Sequence, residues 1–326
     1  MTTVRLAITT AYGSMSPENI ARALDLHTIH RGGRTLTSLR LAYNPGPVNQ
    51  YKALAPTVRL ALVGSPPERG GPTLETEMRP ALLVSFVYLD AFLKNQKRYS
   101  YRDWVLDSGA FSAWKSGTEI DLQKYIDTCA KLLESDPKLT EVFSLDVIGN
   151  WEGTARNTEE MWKQGIPAIP AFHYGEPEEA LKEMAERYPK IALGGIVGVR
   201  KKEKKRWIGQ CFARVWPKRI HGFGVGSKEH VMAFPFHSVD ATNWEIGPCA
   251  FGRWNSFGKM SIRGSKQDLR AEVEWYLDLE RSARLRWKKE MTLLDSLGDG
   301  PVVRLAEVSS GRFPVDIVSG NQPRSV

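Results

Sequence analysis

Short apolar runs punctuate the chain from about residue 100 onward, at Trp104–Leu106, Val142–Val147, Pro167–Phe172, Ile191–Gly195, Ile220–Val225 and Phe236–Ala241. Charged, helix-favouring segments separate several of them, at Asp121–Glu134, Thr158–Gln164, Pro177–Tyr188, Lys202–Ala213 and Lys228–Ala233. Apolar runs this short read as buried strands. Strand alternating with helix predicts a parallel sheet with crossover helices. Two earlier candidates, Val4–Thr9 and Ala81–Tyr88, bring the count to that of an α/β, (β/α)8 TIM-like barrel. An open doubly wound sheet is the main rival. No G-x-G-x-x-G follows an early strand, which weakens its dinucleotide-binding form.

The first hundred residues are less regular. Ser16-Pro17-Glu18 is a helix start, with a Ser cap and Pro at the first helical position. Arg31 to Pro80 is rich in Gly, Pro and Thr and reads as loops with short strands, Val58–Val63 among them. Asp268 to Leu297 has the apolar spacing of a long amphipathic helix, through Leu269, Val273, Tyr276, Leu277, Leu285 and Leu294. The expected organisation is one barrel over 1–297, the C-terminal helix included, and an irregular tail over 298–326.

Polar and glycine residues gather where the strands should end. Asp107 closes Trp-Val-Leu and leads into Ser108-Gly109-Ala110-Phe111. Asp146 lies in Phe143-Ser144-Leu145-Asp146-Val147, and His173-Tyr174-Gly175 follows Ile169–Phe172. Gly194-Gly195 follows Ile191–Leu193, Gly224 and Gly226 follow Ile220–Phe223, and Asp240 follows Phe236–Val239. In a parallel α/β barrel these positions converge on one mouth, where ligands bind. Each also has an ordinary use: Asp caps helices and fills turns, Gly-Gly makes tight turns, and a lone His is commonly structural. Acids near three apolar strand ends are costly unless hydrogen-bonded or used. Two carboxylates flanking a reactive carbon suit glycosyl transfer, one as nucleophile and one as acid/base.

Composition adds little to the fold but bears on partners. The 326 residues carry 45 Lys and Arg against 37 Asp and Glu, a net charge of +8 that favours an anionic partner. Three cysteines cannot build a disulfide framework and favour a reducing compartment. No run approaches the ~18 apolar residues of a membrane span, and the N-terminus lacks a secretory h-region. The expectation is a cytoplasmic protein with no membrane partner.

The ordered motifs resemble one family. Leu106-Asp107-Ser108-Gly109-Ala110-Phe111 resembles the D-S-G-G-F-Q signature of the tRNA-guanine transglycosylases. Ala192-Leu193-Gly194-Gly195-Ile196-Val197-Gly198 is similar to their G-G-L-A-V-G loop, and Gly222-Phe223-Gly224-Val225-Gly226 to the later G-V-G segment. Ser238-Val239-Asp240-Ala241-Thr242 resembles the strand bearing their nucleophilic aspartate. The four occur in the family's order.

The resemblance implies a TIM barrel that exchanges guanine for a 7-deazaguanine base with no cofactor. By it, Asp240 is the nucleophile and Asp107 the acid/base. Asp146, Ser108, Gly109, Phe111, Gly194, Gly195 and Tyr174 are base-binding. The family's glutamine-glycine pair falls near Tyr174-Gly175, where no Gln is present. The tRNA enzymes also carry a structural zinc in a C-x-C-x2-C…H arrangement. Here Cys129, Cys211 and Cys249 are scattered and cannot make that site, so no metal is expected. This departure points to the compact, mostly phage-encoded DNA relatives, the DpdA-type DNA-guanine transglycosylases, which would act in a host cytoplasm. The implied partners are DNA, with tRNA second, and a free 7-deazaguanine such as 7-cyano-7-deazaguanine (preQ0).

Two basic stretches are candidates for phosphate contact. Arg200, Lys201, Lys202, Lys204, Lys205 and Arg206 follow the Gly194–Gly198 loop. Arg253, Lys259, Arg263 and Lys266 are interleaved with Trp254 and Phe257. A solvated helix face explains the first stretch equally well. For stacking the target base, Phe111 is the first candidate, followed by Trp114, Trp244 and Trp254. Three other readings stay open: the same chemistry on tRNA, a non-catalytic nucleic-acid-binding barrel, and a glycosidase.

Overall fold

The computed structural model describes residues 2–8, 17–25, 28–31, 34–37, 79–242 and 266–297. In chain order its elements are β1 (Thr3–Ile8), α1 (Pro17–Leu24), β2 (Thr28–Arg31), β3 (Arg34–Thr37), β4 (Ala81–Ser85) and α2 (Leu89–Asn95). They continue with β5 (Trp104–Asp107), α3 (Ala110–Ser116), α4 (Leu122–Ser135), β6 (Leu139–Val142), α5 (Trp151–Lys163), β7 (Ala171–His173) and α6 (Glu178–Arg187). The last are β8 (Lys190–Gly194), α7 (Lys201–Val215), β9 (Arg219–Gly222), α8 (Lys228–Ala233), β10 (Ser238–Ala241) and α9 (Lys266–Leu297).

Eight strands form one parallel sheet in the order β6-β5-β4-β1-β10-β9-β8-β7, and β2 and β3 pair separately as an antiparallel hairpin. The chain-consecutive strands β6 and β7 stand at opposite ends of this order. A parallel bridge between Phe143 and Ile169 nevertheless brings those two edges together. Around it Ser144 N–H donates to the Ile169 carbonyl at 2.9 Å, and Ile169 N–H to that of Val142 at 2.9 Å. The sheet is therefore curled, as in TIM-like folds.

Side-chain alternation along the strands sorts two cores. Val4, Leu6 and Ile8 of β1, Leu82 and Val84 of β4, and Ile191 and Leu193 of β8 pack outward with helix residues such as Tyr125, Trp207 and Phe212. The intervening positions turn inward: Ala7, Leu83, Val105, Phe143, Ile169, Ala171 and Ala192 form a second cluster, with Phe223 against it. Each large side chain buried this way contributes about 1.5–3 kcal/mol. Charges inside the sheet are paired, Lys190 Nζ with Glu141 at 2.6 Å and Arg5 with Asp103 at 2.5 Å. Removing one member of such a pair leaves an uncompensated buried charge.

Helix α9 braces the first strand. Its Val273, Tyr276, Leu279, Ala283 and Trp287 are buried at helical spacing, whereas Leu285 is exposed. Glu280 of α9 takes the Arg102 guanidinium at 2.7 and 2.9 Å and accepts the Val4 N–H at 2.8 Å. No helix among the described residues is long and apolar enough to cross a membrane.

Several boundaries differ from the sequence pattern for local reasons. The apolar run 142–147 leaves the ladder after Ser144. The Leu145 carbonyl accepts from the Asn157 side chain at 2.9 Å, and Val147 N–H donates to Thr154 Oγ1 at 2.9 Å. Those groups are satisfied from α5, so pairing stops. Helix α5 itself starts at Trp151, because the Asn150 side chain caps the Gly153 N–H at 2.9 Å. Helices α2 and α3 were not foreseen. The expected Val58–Val63 strand and the tail after 298 lie outside the described residues.

Candidate active site

Strand β5 delivers Asp107 to one end of the curled sheet, and Gly109 makes the turn beyond it. Gly109 has φ +77°, and a Cβ there would come within 2.8 Å of Ser85 Oγ and Val87 Cγ2. The turn aims the Gly109 N–H at Asp107 Oδ2, 3.1 Å away. Burial, with the charges of Asp146 and then Asp240, pushes the Asp107 carboxyl up to about 7. Asp146 and Asp240, which come from segments distant in sequence, are thus near enough for their charges to act on Asp107.

Asp146 sits past the end of β6, in the loop that Asn157 and Thr154 hold. Its Oδ2 faces His173 Nε2 at 3.4 Å, while its buried Oδ1 has no hydrogen-bond partner among the described residues. His173, at the end of β7, is gripped from the other side by Glu176: Nδ1 lies 3.4 Å from Oε1, and its backbone N–H donates to Oε2 at 2.8 Å. Burial opposes the imidazolium, but the Asp146 and Glu176 carboxylates outweigh it and raise the His173 pKa to about 10.

The glycine pair on β8 is explained by this histidine. A Cβ on Gly194 would meet the His173 ring at 2.9 Å, and one on Gly195, at φ +69°, would meet His173 Cβ and Tyr174 N at 2.9 Å. The room at Gly194 and Gly195 is thus taken by His173. Tyr174 packs edge-on against buried Trp207 with ring centroids 5.6 Å apart.

The Gly-x-Gly-x-Gly segment after β9 is built around Asp240. Gly224, at φ +64°, donates its N–H to Asp240 Oδ1 at 2.8 Å. A Cβ on Gly226 would overlap Ala241 Cβ at 2.2 Å, so only glycine lets this loop lie on β10. His221 of β9, fully buried, places Nε2 at 3.5 Å from the same Oδ1. Burial lowers the His221 pKa despite the Asp240 charge. Phe143, His221 and Phe223 pack against one another, tilted or edge-on, with centroids 4.7 Å apart.

Comparison with known proteins is sparse. No protein-family model matches the chain, and neither does any curated protein. Among solved structures, the tryptophan synthase complex of Pyrococcus furiosus is similar at 14% identity and a TM-score of 0.42, over 85% of this chain and 98% of that one. The carboxyl transferase domain of Rhizobium etli pyruvate carboxylase, solved with pyruvate, is similar at 11% identity and a TM-score of 0.39, over 86% of this chain and 48% of that one. Neither likeness bears on chemistry, which rests on the site itself.

The remaining candidate residues scatter. Ser108 is buried, and its Oγ accepts the Ala110 N–H at 3.4 Å. Phe111 and Trp114 stand half-exposed on α3, 6.1 Å apart. Trp114 and Asp146 help line an open cleft of about 800 Å³ between α3 and the β6–α5 loop. A second groove of about 430 Å³, lined by Pro189, Lys218 and Arg219, opens where β8 and β9 begin, at the opposite end from these acids. Arg200, Lys201, Lys202 and Arg206 are exposed at the start of α7, with Lys204 and Lys205 half-buried. Lys201 and Lys205 pair with Glu229 of α8. Cys129 and Cys211 are singly buried, and no group among the described residues is arranged to hold a metal ion. Arg253, Lys259, Trp244, Trp254 and Cys249 lie outside the described residues.

The sequence pattern marks His173 at a strand end and Phe223 inside the glycine motif without assigning either a role, and it does not single out Glu176 or His221. The available signals were the histidine directly before Tyr174-Gly175, and the alternation along β9 that turns His221 and Phe223 the same way as Ala192 on β8.

Proposed function

We propose that the protein is a DNA-guanine transglycosylase, exchanging guanine in DNA for a 7-deazaguanine base, with 7-cyano-7-deazaguanine the first candidate. The observation that supports this reading is the unequal setting of two neighbouring carboxyls. Asp107 has its pKa lifted to about 7, while Asp240 is presented to the same space by the Gly224 N–H. Titratable groups whose environments differ in this way divide into acid and nucleophile. The acid works best with a pKa near the operating pH.

In the proposed reaction the target nucleotide leaves the base stack and enters the mouth. Asp240 attacks C1′ as the C1′–N9 bond breaks, and the departing electron pair on guanine takes the Asp107 proton. A covalent deoxyribosyl-aspartate results. Asp107, now a carboxylate, removes the N9 proton of the incoming 7-deazaguanine. N9 then attacks C1′ and releases Asp240, restoring the original configuration. Asp146 Oδ1, buried and unpartnered among the described residues, offers an acceptor to the N–H groups of the purine edge. Exposed cations at the start of α7 supply sequence-independent phosphate attraction.

The test is mass spectrometry of nucleosides from DNA incubated with the protein and preQ0, with tRNA as a parallel arm. Deoxynucleoside carrying preQ0 is expected from DNA. Incorporation into tRNA alone moves the assignment to RNA. Asp240→Asn should give neither exchange nor a covalent adduct, and exchange by that variant refutes the nucleophile.

A further inference from the structure

A chain of buried polar groups crosses the interior of the sheet and ends on Asp240. Glu141 Oε2 accepts from Lys190 Nζ at 2.6 Å, and Lys190 Nζ also donates to Ser238 Oγ at 3.1 Å. Ser238 Oγ lies 2.8 Å from His221 Nδ1, and His221 Nε2 lies 3.5 Å from Asp240 Oδ1. Four strands contribute, β6, β8, β10 and β9. Lys190, Ser238 and His221 are all buried.

Proton counting fixes the direction of this chain. Lys190 is donor only, so Ser238 Oγ accepts from it. The one acceptor in hydrogen-bond reach of the Ser238 hydroxyl, among the contacts described, is His221 Nδ1. A neutral imidazole accepting at Nδ1 carries its proton on Nε2, the atom that faces Asp240. His221 Nε2 has no hydrogen-bond partner at normal length among the described residues. Its 3.5 Å separation from the carboxylate is the kind of long contact that tightens when substrate binds. The charges acting on the ring are Asp240, Lys190 and Arg5, and the two cations oppose a second proton.

We infer that His221 is a positioning residue for Asp240: locked as the Nε2–H tautomer by Glu141, Lys190 and Ser238, it joins the Gly224 N–H on Oδ1 and leaves Oδ2 as the attacking oxygen. The attack assigned to Oδ2 rests on the transglycosylase reading above. The tautomer does not. A carboxylate with one oxygen held by two donors cannot rotate freely, so its other oxygen is pre-aimed at the reacting carbon.

The experiment has two arms. In histidine ¹⁵N-labelled protein, long-range ¹H–¹⁵N spectra near neutral pH should show His221 with an unprotonated Nδ1 and a protonated Nε2. Ser238→Ala should move that ring toward a tautomer mixture. An Nδ1–H tautomer or an imidazolium in the wild type overturns the inference, as does an unchanged ring in Ser238→Ala. In the exchange assay, His221→Leu should lower kcat about 10- to 100-fold, the worth of one hydrogen bond to a charged group, with KM for the free base unchanged. His221→Gln can place an N–H where Nε2 stood, and should recover most of that loss. Equal losses in the two variants with unchanged circular dichroism assign His221 a packing role and refute the positioning. If wild-type protein exchanges no base at all, the transglycosylase reading fails while the spectra still decide the tautomer.

Discussion

Replacing Asp107 by Asn should make the protein more stable at alkaline pH and leave it unchanged at acidic pH. Burial and the charges of Asp146 and Asp240 raise this carboxyl from 3.8 to about 7 in the folded state. A raised carboxyl favours the protonated fold, so its contribution is fully present below 3.8 and is lost as pH climbs through about 7. A shift of roughly three units corresponds to ~4 kcal/mol. Asp107 is only half-buried at the mouth, so solvent screening reduces this to about 2 kcal/mol. Asn copies the shape of the neutral acid and can still accept the Gly109 N–H, but it never ionises. Urea unfolding of both proteins, followed by tryptophan fluorescence, should give equal stabilities near pH 4. Near pH 8 the variant should lead by about 2 kcal/mol. A stability difference that does not change with pH would falsify the reasoning. The same variant should lose base exchange, a gain in stability at the expense of activity.

Other outcomes follow from the geometry. Gly226→Ala forces its Cβ to within 2.2 Å of Ala241 Cβ, so it should destabilise the fold by about 1–3 kcal/mol in the same unfolding assay. An undisturbed midpoint would show that the loop moves freely from β10. The C2 proton of His173 should titrate near pH 10 in NMR spectra, and a midpoint below 7 would mean that Asp146 and Glu176 do not hold the ring. In Gly194→Ala the new Cβ displaces the His173 ring, and the titration should move back toward the ordinary 6.5. Glu280→Ala strips Arg102 and the Val4 N–H of their shared partner and should cost about 3–5 kcal/mol. A loss under 1 kcal/mol would show that α9 does not brace β1.

Much of the architecture was legible because buried parallel strands leave a plain signature. Runs such as Ile191–Leu193 are apolar without interruption, since one face meets helices and the other the interior of the sheet. The candidate site is marked in the sequence for a similar reason: Asp107 and Asp240 stand out against apolar neighbours. Where local pattern falls short, side chains intervene. Asn157 and Thr154 end sheet pairing beyond Ser144 by capturing backbone groups of Leu145 and Val147. The space a side chain on Gly194 or Gly195 would need is filled by His173, which no local pattern shows. Phe111, the candidate for stacking on the base, stands half-exposed on α3 beside Trp114.

By itself the sequence determined the alternation of strand and helix from about residue 120, the acids near strand ends and the glycines beside them. These are local properties, set by periodicity and by the cost of leaving a charge in an apolar run. Only the tertiary structure decided which groups meet. The Glu141-to-Asp240 chain draws on four strands, and its members lie up to roughly a hundred residues apart. Asp107 is lifted to about 7 by burial together with charges on two other segments. Hydrogen bonds and Coulomb interactions act through distances in space, and only the curling of the sheet sets those distances.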